Sequence, residues 1–265
     1  VDPEERLSYL LANKPEKIND ELTWEIADAM SACGKYDDAI TLLKSHEFVA
    51  AECQETYLTE SWTFANVAKG RLLMNEGKPE EALKYFKDAQ TIQENFRAGW
   101  WDTQALYYAR VHEANCLLAL GDKEAAKQAA AKVLPFIHSN YSPYMGPESD
   151  VYVGMAMRIL GDVVNSGRYV SDAVIRWEND LKGALGGNGR KATGDGRRDR
   201  KPIVTALFLT TVPDGAKEHD SEVYQALGYS RLFFNDPAGA KEYFTKSLEL
   251  DPSNRKARFE LSLLK

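Results

Sequence analysis

Residues 224–252 read YQALGYSRLFFNDPAGAKEYFTKSLELDP, Tyr224 to Pro252, and this stretch decides the fold. Apolar residues recur three and four apart on both sides of Asn235-Asp236-Pro237, which is the helical period. Asn235 closes the first helix and Asp236 caps the second. Pro237 takes its first position, where a missing N–H costs nothing. Gly228 late in one helix and Ala240 early in the next let two antiparallel backbones approach, and Phe244 fills the groove one turn on. The stretch predicts a helical hairpin.

The same pattern, a small residue, Ala twelve positions later and a bulky residue four beyond, recurs upstream. It reads Gly70, Ala82, Phe86 and Gly161, Ala173, Trp177, with weaker copies at Ala27, Ala39, Leu43 and Ala114, Ala126, Ala130. Gly34-Lys35-Tyr36-Asp37-Asp38, Gly77-Lys78-Pro79-Glu80-Glu81 and Gly121-Asp122-Lys123-Glu124 supply the turns, with acids placed in new first turns. The alanines are 43, 44, 47 and 67 residues apart, so the spacing between hairpins is uneven.

Tyr224-x-x-Leu227-Gly228, Ala240, Phe244 and Pro252 resemble the tetratricopeptide repeat, with Arg231 where Tyr is usual and Ser247 where Ala is usual. Residues 63–94 resemble it through Gly70, Ala82, Phe86 and Ala89, without the final Pro. The resemblance implies an all-α, right-handed α-α superhelix of about five hairpins, one domain over residues 1–265. It also implies a non-catalytic scaffold whose concave face grips a protein or peptide, or another domain of a longer parent chain. Carried over, the concave positions fall on Phe64, Val67, Arg71 and Met74, then on Tyr108, Val111, His112, Asn115 and Leu118. In the last two hairpins they fall on Arg158 and Asp162, and on Gln225, Tyr229 and Leu232. Of the family's carboxylate clamp of Lys and Asn, only Asn115 is present. Tyr36-Asp37-Asp38-Ala39-Ile40, with Leu42-Leu43-Lys44 after it, and the 77–82 turn are also similar to the C-terminal helical region of large bacterial proteins that carry an uncharacterised β-rich domain. A start at Val1-Asp2-Pro3, without Met, is expected either of a chain whose signal has been removed or of a piece of something longer, the second being favoured.

Composition narrows the function. The chain has 265 residues, 44% hydrophobic and 28% charged, an ordinary globular balance. Its 33 Lys and Arg against 40 Asp and Glu give −7, which argues against a duplex nucleic-acid binder. No apolar run approaches the roughly 20 residues of a membrane span. Cys33, Cys53 and Cys116 form no C-x-x-C and read as small buried apolar residues; so few unpaired thiols favour the cytoplasm. His46, His112, His138 and His219 have no metal-ligand spacing, and no Ser or Cys sits in a nucleophile context. Neither a catalytic residue, a metal nor a cofactor is expected.

Residues 181–201 break the helical pattern with six glycines. Seven basic residues against Asp195 and Asp199 give this stretch +5 and leave −12 on the rest, as expected of a solvated loop or of an anion-docking one. Ile203–Val212 is strongly apolar and is expected to be helix rather than strand. Trp100, Trp101, Tyr107 and Tyr108 are dense enough either to pack between hairpins or to offer a face to a carbohydrate or small ligand, the alternative function. Trp24, Trp62 and Trp177 are expected in the core. Arg255–Lys265 is expected to cap the chain, with Ala257, Leu261 and Leu264 turned inward.

Overall fold

The computed structural model describes residues 2–49, 54–91, 93–97, 104–134, 146–185 and 215–264. Among these residues there are twelve α-helices and no strand. They are α1 (Pro3–Asn13), α2 (Asp20–Ala32), α3 (Tyr36–Ser45), α4 (Gln54–Asn75), α5 (Pro79–Asp88) and α6 (Gln104–Ala119). Then follow α7 (Lys123–Ala131), α8 (Ser149–Ile159), α9 (Val163–Leu185), α10 (Gly215–Phe233), α11 (Pro237–Leu250) and α12 (Arg255–Leu263). The fold is all-α. Trp100, Trp101, Cys53, residues 186–201 of the glycine-rich stretch and Ile203–Val212 lie outside the described residues, whereas residues 181–185 continue α9 and correct the expected break there.

Five hairpins are present, α2/α3, α4/α5, α6/α7, α8/α9 and α10/α11, and each turns in the same way. Lys35, Lys78, Asp122, Asp162 and Asp236 each donate their backbone N–H to the carbonyl five residues back, at 2.8–3.0 Å. The residue before each is left-handed: Gly34, Gly77, Gly121, Gly161 and Asn235, with φ between 61° and 97°. This closure satisfies carbonyls that a helix end otherwise leaves unpaired. Asn235 is the one non-glycine among the five, as its tolerance for this conformation allows.

The turns correct the register of the fourth hairpin. Gly161 closes the turn and has open space around it, whereas Gly154 lies at the helix crossing. A Cβ there would stand 2.3 Å from Val170 Cγ2. In the second and fifth hairpins, Gly70 and Gly228 meet Phe86 and Phe244 at 2.7 and 2.5 Å in the same sense. Every hairpin therefore carries a small residue seven positions before its left-handed turn: Ala27, Gly70, Ala114, Gly154 and Gly228. Twelve positions on come Ala39, Ala82, Ala126, Ser166 and Ala240, all fully buried. Sixteen on come Leu43, Phe86, Ala130, Val170 and Phe244, each at most 1% exposed. Trp177 is buried, as expected, but it is not the groove-filling residue of its hairpin.

The chain divides into two compact units, Val1–His138 with Met155–Val163, and Ser139–Gly154 with Val164–Lys265. In the first unit, α1 packs on α2, and successive hairpins stack with α2, α4 and α6 side by side while α3 and α5 wedge between them. The connectors explain why the spacing exceeds the usual repeat. Phe48 N–H donates to Asn95 O at 2.9 Å, and Asn95 Nδ2 donates to the carbonyls of Leu43 and His46 at 2.8 and 2.6 Å. Phe48 and Phe96 enter the core, where Phe96 meets Trp62 edge-on at 5.5 Å. Trp24 and Trp62 are buried too. Cys116 is buried; Cys33 is half-buried at the rim of the Leu7, Ile26 and Ala29 cluster, and burial pushes both thiols up to about 11.

In the second unit α10 packs on α11 and α11 on α12. Ser221 and Ser247 hydroxyls each donate to the other's carbonyl at 2.9 Å, and Asn254 Nδ2 reaches both hydroxyls at 3.2 and 3.1 Å. Asn254 Oδ1 also caps α12 by accepting from Ala257 N–H. Ala257 of that closing helix is buried and Leu261 and Leu264 are half-buried, while Phe259 and Glu260 go deeper than the sequence pattern indicates.

Candidate functional site

The corrected register places matching positions on the first helix of every hairpin. Counting from the small residue, the position one residue later holds Asp28, Arg71 and Asn115 on α2, α4 and α6. Four residues later come Ser31, Met74 and Leu118, and two before come Glu25, Ala68 and His112. These residues run along neighbouring helices of the first unit and form one row. The row has a buried floor and a more open rim. Phe64, Val67, Tyr108 and Val111 are at most 2% exposed and belong to the floor. Arg71, Met74, His112 and Asn115 are half-buried, and Leu118 is exposed.

Polar groups of the row are held by residues of the floor or of a neighbouring helix. Arg71 Nη1 donates to Tyr108 Oη at 3.3 Å, joining α4 to α6. His112 lies edge-on to Tyr108, 4.6 Å between ring centres, and stacks on Phe86 of α5 at 6.1 Å and 22°. Burial, together with the Arg71 charge, holds its imidazole well below the usual histidine range, so the ring is neutral at pH 7. On α2, Asp28 accepts from Ser61 Oγ and Glu25 pairs with Arg6 of α1. Burial still raises the Glu25 carboxyl above its ordinary range, against the opposing Arg6 charge. The row therefore runs from carboxylates on α2 to a guanidinium on α4 and an amide on α6.

Glu25 and Asp28 are the residues the sequence reading missed. Their signal was available, because they stand at the same offsets from Ala27 as Ala68 and Arg71 do from Gly70. In the fourth hairpin the register moves the row to Glu148, Val151, Tyr152, Met155 and Arg158. Arg158 keeps its place and is exposed, whereas Asp162 belongs to the turn. In the second unit Gln225 and Tyr229 are buried, and Tyr229 packs against Tyr152 at 5.8 Å. Tyr107 and Tyr108 are 1% and 2% exposed, so neither ring offers a free stacking face. Among the described residues there is no group of three or more His, Cys, Asp or Glu able to hold a metal, and no helix long and apolar enough to cross a membrane.

A family model of the tetratricopeptide repeat matches residues 65–96 and 221–254, the second and fifth hairpins. Both hairpins are tetratricopeptide repeats in pattern. The matched segments contain Gly70 with Phe86 and Gly228 with Phe244, the two crossings where an aromatic ring fills the gap left by glycine. The other three tetratricopeptide-like hairpins keep the turn and the crossing but hold Leu43, Ala130 or Val170 in place of the ring. A tetratricopeptide repeat protein from Parabacteroides merdae is similar at 16% identity and a TM-score of 0.33, over 99% of this chain and 90% of that one. No curated protein matches the chain.

Proposed function

We propose that this chain is a non-catalytic scaffold that binds a protein or an extended peptide along the row presented by α2, α4 and α6. The observation that carries the reading is the division of that row into a packed floor and a polar rim. Phe64, Tyr108 and Val111 fix the helices, while Arg71, Met74, His112 and Asn115 keep surface for contact. Arg158 adds an exposed cation on α8, and Tyr229 is assigned to packing. Because the floor is packed before any partner arrives, binding needs little rearrangement, and half-buried Arg and Met are suited to such contacts. The carboxylates of α2 and the guanidinium of α4 give the row a charge direction, which fixes the sense in which a peptide lies.

A fluorescent library of ten-residue peptides tests this. The wild type is expected to select a subset whose binding the double variant Arg71→Ala, Asn115→Ala weakens at least about tenfold, as loss of a charged contact and an amide contact predicts. Arg71→Ala also removes the bond to Tyr108 between α4 and α6, so the thermal midpoint is measured alongside and binding is compared well below the midpoint of either protein. Equal selection by the two proteins places the binding surface elsewhere.

A further inference from the structure

We propose that His112 makes the row of the first unit acid-labile: its buried Nε2 has no hydrogen-bond partner among the described residues, and taking up a second proton loosens the α4–α5–α6 junction that presents Arg71 and Asn115. His112 Nε2 is buried, and among the described residues it has no hydrogen-bond partner, although the side chain as a whole keeps some exposure. Phe86 covers one face of the ring and Tyr108 meets it edge-on. The charged group that faces it is a cation, Arg71 on α4, itself bound to Tyr108 Oη. From α5 comes only the apolar ring of Phe86, and on α6 the neighbouring Glu113 carboxylate is taken by Gln90 Nε2 at 2.7 Å. An imidazolium at this place has a like charge beside it and, among the described residues, no anion acting on it. A charged ring that turns toward water leaves Phe86 and parts from Tyr108, whose hydroxyl also accepts from Arg71.

The other described histidine of the unit shows the contrast. His46 has Asp20 Oδ1 2.6 Å from Nε2 and Thr23 Oγ1 3.3 Å from Nδ1, so each ring nitrogen faces an oxygen. His112 Nε2 faces no such oxygen among the described residues.

The sign follows from the neutral folded ring. The unfolded chain takes up the proton near its ordinary value of about 6.5, while the folded one resists. Stability is complete above that pH and declines as pH falls below it, until the folded ring also protonates. The opening constant of the junction therefore rises up to about tenfold per pH unit over that window.

Hydrogen exchange of α4 and α6 amides, corrected for intrinsic exchange, reads this directly in wild type and in His112→Phe, which keeps the ring stack and carries no proton. Between about pH 7.5 and 5.5 the wild-type opening constant is expected to rise about tenfold and the variant's by less than about twofold. Equal responses overturn the proposal. If His112→Phe fails to fold, the His112 ring resonance decides in wild type: a ring that titrates while α6 protection is unchanged overturns it, and a ring that stays neutral until protection falls supports it. The proposal takes from the scaffold reading only which surface is lost. Neither readout uses a ligand, so failure of the peptide experiment leaves this test intact.

Discussion

At the scale of single residues, the fold depends on what is absent from five helix crossings. Gly154 leaves room for Val170, whose β-branched side chain has one stiff rotamer and little freedom to retreat. Gly154→Ala is therefore expected to cost about 1–3 kcal/mol, as overpacking does. Adding Val170→Ala should return part of that loss, a coupling that urea midpoints of the two single variants and the double variant measure. Gly161→Ala has free space around its new methyl group, yet its φ of 97° is left-handed. A cost of about 1–2 kcal/mol is expected there, with no relief from Val170→Ala. The two glycines stand seven residues apart and do different work. Taken singly they look alike, since a small residue near a helix end suits a crossing or a turn; the seven-residue offset to Gly34, Gly77 and Gly121 in the first three hairpins is the signal that separates them.

At the scale of elements, the departures from the usual repeat turn out to be joints. Ser247, where Ala is usual, exchanges hydrogen bonds with Ser221 and accepts from Asn254, so α10, α11 and α12 share one buried polar knot. Asn254→Ala removes both the donors and the α12 cap, and about 1–3 kcal/mol of stability is expected to go with it in a urea melt. Ser247→Ala leaves the Ser221 hydroxyl its bonds to the residue-247 carbonyl and to Asn254, whereas replacing both serines by Ala strips Asn254 Nδ2 of both acceptors, so the double change is expected to cost more than the sum of the two single changes. In the first unit the connectors form the joint. Phe96 sits between Trp62 and Phe48, and Phe96→Ala is expected to lower stability by about 3–5 kcal/mol, with tryptophan fluorescence reporting the loosened Trp62. The uneven spacing in the sequence announces that something is inserted between hairpins. It does not show that two distant connectors bond to each other, because Asn95 and Leu43 are 52 residues apart.

At the scale of the whole molecule, each of the two units is held mainly by contacts between neighbouring helices, so damage is expected to stay local. Leu43→Ala, at a fully buried crossing, is expected to cost about 2–5 kcal/mol and to direct early proteolytic cuts to residues 20–75. Phe244→Ala is expected to move the first cuts to 215–264. Identical fragment patterns from the two variants would mean that the chain unfolds as one block. The row proposed for binding belongs to this larger scale too. Arg71, Tyr108 and His112 come from two hairpins, and their mutual contacts exist only once α4 and α6 lie side by side.

The sequence by itself determined the helices, their turns and the pairing of each helix with the next. Those features depend on residues within about twenty positions of one another, through periodicity, caps and left-handed glycines. It also marked Arg71, His112 and Asn115 as one face of successive helices. Only the tertiary structure decided that Gly154 stands at the fourth crossing, that Phe64, Tyr108 and Tyr229 are buried, and that His112 Nε2 lies beside a cation with no partner among the described residues. Burial and charge environment are set by what packs against a side chain from distant parts of the chain, and no local pattern encodes that.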